Sequence, residues 1–369
     1  MKIVILGGSG DMGAATVRDL LEFTDVQQVT IAARNARPAE KLSKAIDDPR
    51  LAIQKVDAAS HTDLVRIMKK HDVVAGALGP FYLWERPLVE AALAAGVDYV
   101  SICDDHDAVQ NVLALDQAAA KKGQKILTGL GWTPGITSIL ARKGYDELDN
   151  TDNIRIYWAG SIGDSRGLAV ILHTLHIFTG KVTSFQNGRF VEIWAGSGKE
   201  SVDFPAPLGK ITTFHLGHPE PVTLPRYLTG IKGVTLKGGL AENYLHYLAK
   251  LMVMFGLTST PFGKQKLGEL MKKMLPFFPT KKDRNFSGAR VDIEGTRNGK
   301  KIQVSYAVVD RMRRLTGIPL SVGAYMMGQG KIKRCGVFGP EAKGAIDPGI
   351  FLQELARRGI KIEHRETLL

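Results

Sequence analysis

Short, almost wholly apolar runs alternate with amphipathic stretches over the first third of the chain. Ile3–Leu6, Val29–Ala33, Leu51–Val56, Val73–Ala77, Tyr99–Ile102 and Lys125–Thr128 have the length and composition of strands covered on both faces. Met12–Phe23, Ala39–Ile46, Leu64–Lys70, Pro87–Ala95 and Asp107–Lys121 repeat apolar residues at helical spacing. Strand and helix taking turns predicts a parallel sheet with helices on its faces.

The pattern changes after residue 130. Ile154–Ala159, Phe190–Trp194, Arg290–Arg297 and Lys301–Val308 read as strands. Arg290–Arg297 alternates Val291 and Ile293 with Asp292 and Glu294, the signature of one wet face. Asn298-Gly299 between two such runs predicts a hairpin, because its tight turn needs positive φ at both positions. Leu168–Phe178 and Asn243–Phe255 predict helices, and Pro205, Pro207, Pro219, Pro221 and Pro225 predict a long irregular loop. The end of the chain predicts helices at Leu320–Met327 and Pro348–Arg358. Three parts are expected: 1–130 with the parallel sheet, 131–310 as an α+β domain of mostly antiparallel sheet, and 311–369 packing back on the first.

Composition narrows the class. Of 369 residues, 44% are hydrophobic and 23% charged, which excludes a disordered chain. Two cysteines, Cys103 and Cys335, make no disulfide framework and no zinc cluster, so a reducing cytoplasm is expected. The opening MKIVILGGSG reads as strand and turn rather than signal peptide, and no apolar run is long enough to predict a spanning helix. The net charge of +12 favours anionic partners. The excess gathers in Lys264–Arg314, including Lys272, Lys273, Lys281, Lys282 and Arg284, and reads first as a solvated basic face. No nucleic-acid module is recognisable, so no nucleic-acid partner is expected.

The strongest chemical signal is Gly8-Ser9-Gly10-Asp11-Met12-Gly13, a GxGxxG pattern directly after the first strand and before the first helix. Gly8 is expected to take the sharp turn, Gly10 to let a pyrophosphate reach the backbone, and Gly13 to let helix and strand pack closely. The helix N-terminus then presents N–H groups to phosphate. This predicts a doubly wound Rossmann domain. An NAD site places a carboxylate at the end of the second strand, where this chain has Ala32-Ala33-Arg34-Asn35. The Arg34 guanidinium suits a 2′-phosphate, so NADP is expected over NAD. Asn35, Asp57 after the third strand and Gly79 after the fourth complete the candidate cofactor contacts.

Cys103-Asp104-Asp105-His106 stands at the carboxyl end of the fifth strand, where open α/β sheets bind ligands. Asp104 is the candidate for moving a proton or holding a substrate amine, while Asp105 or Asp107 has an equal reading as a helix cap. Cys103 reads as an inert thiol. His173 and His176 share a helix face. His173 is the second catalytic candidate, and no third residue at suitable spacing supports a metal, so none is expected. Arg166 and Arg226 are candidate carboxylate clamps. Gly129–Gly135 reads as a hinge into the next domain.

Together, Gly7–Gly13, Gly79-Pro80-Phe81, Tyr99–Asp105, Gly131-Trp132-Thr133-Pro134-Gly135, Thr316-Gly317-Ile318-Pro319, Gly336-Val337 and Pro340-Glu341 resemble the saccharopine dehydrogenase (saccharopine reductase-like) family, which includes lysine 6-dehydrogenase and carboxynorspermidine dehydrogenase. The resemblance implies a Rossmann domain with a second α/β domain inserted before the chain returns, and a homodimer. It also implies hydride transfer between NAD(P) and a C–N bond of an amino-acid or amine-derived substrate. Cys103-Asp104-Asp105 departs from the Ser/Gly-rich form of familiar members and leaves the substrate open. Two alternatives stand beside this. One is a lipid reductase at a membrane surface, suggested by Leu251–Phe255 and Met274–Phe278 beside the basic cluster. The other is a non-catalytic NADP sensor.

Overall fold

A computed structural model describes residues 1–165, 167–280 and 285–369, without the side chains of Asn243 and Met254. Arg166, Lys281, Lys282 and Arg284 therefore lie outside the described residues. The chain divides into two compact units, Met1–Ile136 with Arg313–Glu354, and Thr137–Met312 with Leu355–Leu369.

The first unit opens β1 (Lys2–Leu6), α1 (Asp11–Phe23), β2 (Gln28–Ala33), α2 (Ala36–Ile46), β3 (Leu51–Lys55), α3 (His61–Met68), β4 (Val73–Gly76) and α4 (Phe81–Ala95). It continues β5 (Asp98–Ser101), α5 (His106–Leu113), α6 (Asp116–Lys121) and β6 (Lys125–Leu127). All pairings in its seven-stranded sheet are parallel, in the order β15-β6-β5-β4-β1-β2-β3, where β15 is Gly336–Phe338. Ile3, Val4 and Ile5 are fully buried, as a strand with helices on both faces must be. The chain goes from β1 outward through β2 and β3, then crosses to β4 on the other side of β1. The topological switch point thus lies between β1 and β4. The returning helix, Met312–Gly328, is tied to α1 by buried polar bonds: Thr16 Oγ1 donates to the Gly317 carbonyl at 2.9 Å, and Ser321 Oγ to Asp19 at 2.6 Å.

The second unit contains α7 (Ile136–Asp146), β7 (Asn150–Gly160), α8 (Leu168–Ile177), β8 (Lys181–Gln186), β9 (Arg189–Trp194), β10 (Glu200–Phe204), β11 (Gly209–His215), α9 (Glu220–Tyr227) and β12 (Gly233–Leu240). After α10 (Asn243–Met254) and α11 (Pro261–Met274) come β13 (Ser287–Arg297) and β14 (Lys300–Asp310), and β16 (Ile362–Leu368) completes the sheet. The nine strands run β10-β11-β12-β7-β13-β14-β16, with β8 and β9 branching from β12. Among the described residues only β12 with β7 is parallel, so the expected mostly antiparallel sheet is found. Asn298 and Gly299 both have positive φ, as the hairpin required.

Several expectations are corrected. The proline-rich stretch is not a loop. Pro205 and Pro207 sit in the β10–β11 turn, Pro219 and Pro221 open α9, and Pro225 lies within it. Helix α4 begins at Phe81 rather than Pro87, and the predicted Asp107–Lys121 helix is two helices, α5 and α6. Among the described residues no helix is long and apolar enough to cross a membrane.

Candidate functional site

The loop after β1 is shaped by two close approaches. Gly7, not Gly8, takes the left-handed backbone conformation, with φ of 82°. A Cβ on Gly7 would lie 2.5 Å from the Ala77 carbonyl oxygen, so the loop presses on the residue that follows β4. A Cβ on Gly13 would lie 2.3 Å from the Gly7 oxygen and 2.7 Å from Gly8 Cα, which only glycine avoids. Gly8 is buried against Ile5 and Ile31. Gly10 is different. It is exposed, caps α1 in an extended conformation without a side-chain bond, and its added Cβ would meet only the Gly7 oxygen, at 3.3 Å. Its N–H donates to that oxygen at 3.0 Å. The first-turn N–H groups of a helix point out of its N-terminal end rather than into the helix ladder. Ser9 and Met12 flank them half-buried, and Asp11 is exposed. A pyrophosphate fits this cradle on the open side of Gly10. Asp11 can contribute through its backbone only, since its carboxylate has the charge of a phosphate.

Adjacent strand ends surround the loop. Leu6 pairs with Ala32 and with Gly76, which fixes the ends of β2 and β4 beside it. Beyond β2, Arg34 is exposed and Asn35 caps α2, its side chain accepting from the Arg37 N–H at 3.1 Å. Arg37 is exposed as well. Two guanidiniums three residues apart, with no carboxylate at the end of β2, make this corner cationic. Asp57 is exposed beyond β3, where its carboxylate accepts from the Ala59 N–H at 3.1 Å. Gly79 is partly exposed between β4 and α4.

The end of β5 rests on a buried carboxyl. Glu85 of α4 is fully buried and accepts from Tyr99 Oη at 2.9 Å, Ser101 Oγ at 2.5 Å and Thr128 Oγ1 at 2.9 Å. Burial raises its pKa above the ordinary carboxyl value, and the three hydroxyl donors only partly offset this. One side chain thereby ties α4 to β5 and to the end of β6. Past it, Cys103 is fully buried. Burial first, then the carboxyls of Glu85, Asp105 and Asp104, push its thiol well above the usual range, so the thiolate is suppressed. Asp105 is buried and accepts from the Tyr82 N–H at 2.8 Å, whereas Asp104 is only partly buried.

The second unit holds its own polar cluster. His173 of α8 stands edge-on to His218, with ring centroids 5.2 Å apart. His218 is buried, with Nδ1 3.9 Å from Glu220 Oε2, and Thr137 Oγ1 donates to Glu220 Oε1 at 2.8 Å. Trp158 packs on the same imidazole at 5.7 Å. His176, one turn from His173, faces Lys264 instead, its Nδ1 2.9 Å from Nζ. The two α8 histidines therefore do not act as a pair. Arg226 is exposed in the last turn of α9, and Arg166 is outside the described residues.

The family model for the saccharopine dehydrogenase NADP binding domain matches residues 3–127. This stretch is similar to the NADP-binding domain of saccharopine dehydrogenases. The resemblance read from the sequence motifs is borne out there. Over 98% of its length the chain is 24% identical to a carboxyaminopropylagmatine dehydrogenase of Synechocystis, 96% of which is covered. It is 26% identical over 142 residues to a saccharopine dehydrogenase-like oxidoreductase of Arabidopsis thaliana, covering 35% of this chain and 31% of that one. The structure of saccharopine dehydrogenase (L-Glu forming) from Saccharomyces cerevisiae matches with a TM-score of 0.71 at 16% identity, over 99% of both chains. That likeness is one of fold.

Within the first unit, sequence reading missed the part played by three residues. Gly7, read only as part of the Gly7–Gly13 stretch, was not given the sharp turn, which was assigned to Gly8 where the motif begins. Arg37 was detectable from its three-residue spacing to Arg34. Glu85 gave no signal, since a carboxyl on a helix normally faces water. In the second unit, His218 and Glu220 were hidden in a stretch read as loop.

Proposed function

We propose that the chain is an NADP-dependent oxidoreductase that moves hydride at a C–N bond of an amino-acid or amine-derived substrate. The observation that carries the cofactor reading is the cationic corner after β2. Arg34 and Arg37 are exposed there, where an NAD site would hold a carboxylate. The substrate class is supported by the relative that spans the chain, which is named for dehydrogenation of an agmatine derivative. NADP, when bound, supplies the hydride chemistry. The backbone N–H groups at the start of α1 hold its pyrophosphate, and Arg34 the 2′-phosphate. Asn35, Asp57 and Gly79 contact the nucleoside parts. Asp104, half-buried at the end of β5, holds the substrate nitrogen or moves its proton. His173, packed on His218, is the second candidate for that role.

The test is a fluorescence titration of NADPH and NADH against wild type and Arg34→Asp. The substitution is expected to weaken NADPH about tenfold or more relative to NADH, the loss of a charge-assisted phosphate contact. An unchanged ratio removes Arg34 from the site. NADP reduction screened against amino acids and polyamines tests the reaction. Tight NADPH binding without turnover on any of them would make the chain a sensor instead.

A further inference from the structure

Fifteen large apolar side chains stand exposed among the described residues, and nine of them fall between Tyr244 and Phe277. This stretch is the α10–α11 pair and the short 3-10 turn Leu275–Phe277 that ends it. On α10, Tyr247, Leu251 and Phe255 recur at four-residue spacing and form one outward stripe. On α11, Phe262, Leu270 and Met274 recur at eight- and four-residue spacing, and Phe277, 79% exposed, follows. The opposite faces are already used. Leu267 and Met271 of α11 and Met252 of α10 pack against the small core of Ile171, Leu175 and Leu275, and Gly268 lies against Leu172. The exposed stripes are therefore additional to what the fold needs.

The charges around them are one-sided. From Asn243 to Thr280 the sequence has five lysines, Lys250, Lys264, Lys266, Lys272 and Lys273, and a single acid, Glu269. Lys264 faces His176, while Lys250, Lys266, Lys272 and Lys273 are exposed. Lys266 and Lys273 fall on the same side of α11 as Phe262 and Leu270, by their four- and eleven-residue spacings from Phe262. Lys266 Nζ lies 5.7 Å from the Phe262 ring centroid. A second copy docking here face to face would bring lysines against lysines. An anionic bilayer accepts both features: aromatic and aliphatic side chains enter the acyl boundary, and ammonium groups meet lipid phosphates and carboxylates.

We infer that the outer faces of α10 and α11 form a peripheral docking surface for an anionic membrane. The inference concerns where the protein sits and is independent of the proposed reaction.

The test is flotation of the full chain with phosphatidylcholine vesicles, with and without phosphatidylserine, beside light scattering to measure its mass. Binding to the phosphatidylserine vesicles alone, weakening with salt, is expected. Lys272→Gln with Lys273→Gln should weaken it about 30-fold, from the usual contribution of two lysines at such a surface. Phe262→Ser with Phe277→Ser should abolish flotation while NADPH affinity stays at the wild-type value. Absence of flotation with anionic vesicles overturns the inference, as does equal flotation of all variants. So does a wild-type dimer that becomes a monomer in the Phe262→Ser, Phe277→Ser protein, since a second copy would then be the occupant. Salt-dependence of wild-type flotation decides the matter if a variant fails to fold.

Discussion

Gly10 and Gly13 sit three residues apart on the same turn yet answer to different constraints. At Gly13 an added methyl would overlap backbone atoms of Gly7 and Gly8, which no side-chain rearrangement can relieve. At Gly10 it would meet one oxygen at 3.3 Å, slightly closer than ordinary contact, on an otherwise open side. Gly13→Ala should therefore lose about 2–4 kcal/mol of stability and cofactor binding with it. Gly10→Ala should lose at most about 1 kcal/mol, mainly as a poorer N-cap, and still bind NADPH much more weakly because the methyl occupies the phosphate's approach. Thermal melts with NADPH titrations separate the two. Equal melting losses in both variants would contradict the packing argument, and wild-type affinity in Gly10→Ala would contradict the phosphate argument. The same contrast explains what the motif conveys. Its pattern is readable because glycine is demanded by contact, but the sequence does not say which contact belongs to which glycine, and the sharp turn fell to Gly7.

At the scale of elements, the parallel sheet was legible because strands buried on both faces become continuous apolar runs, as in Val73–Gly76. The Asn298-Gly299 hairpin was legible because its turn chemistry is local. The identical chemistry at Asn187-Gly188, both with positive φ, joins β8 to β9 and was overlooked, since β9 was read as a strand but β8, with Val182 and Phe185 as its apolar residues, gives no apolar run. Helix α4 was misplaced because Pro87 suggests a first helical turn, whereas the structure accommodates it inside. Illegible in principle was the Glu85 network, which exists only once α4, β5 and β6 are assembled. Glu85→Ala leaves three buried hydroxyls without their acceptor and should cost about 3–5 kcal/mol. Glu85→Gln keeps an acceptor oxygen and removes the ionisable group. The folded value of Glu85 is raised above the unfolded one, so its contribution is fully present below the ordinary carboxyl pKa and is lost as pH rises through the folded value. The melting temperature of Glu85→Gln relative to wild type should therefore climb with pH above about 4.5. A difference independent of pH would mean that the carboxyl keeps its ordinary pKa.

Across the whole chain, acid should be the destabilising direction, and histidines set the upper part of that dependence. His71 in the first unit is held between the Ile67 carbonyl and the Thr30 hydroxyl, each at 2.8 Å, and burial lowers its pKa. His215 and His246 in the second are lowered as well, His246 to about 4, by burial first and then by Lys250 and Lys199. The His246 ring is stacked on Phe214 with centroids 3.4 Å apart, a setting for a neutral imidazole. Between the ordinary 6.5 and about 4 the unfolded chain takes up a proton at this position that the native chain refuses. Stability is therefore lost as pH falls through that window. Two buried carboxyls oppose the trend, since the values of Glu85 and Asp164 are raised and both favour the native state on acidification. The net charge of +12 reinforces the loss, because each protonated carboxylate adds to self-repulsion. His246→Phe isolates one contribution while keeping a ring for Phe214 to stack on. Wild type should lose about 1–2 kcal/mol more than this variant between pH 7 and pH 5, the part of the full shift that falls within that range. Chemical denaturation at the two pH values measures it. Parallel losses in both proteins would show that His246 titrates normally and that the acid dependence arises elsewhere.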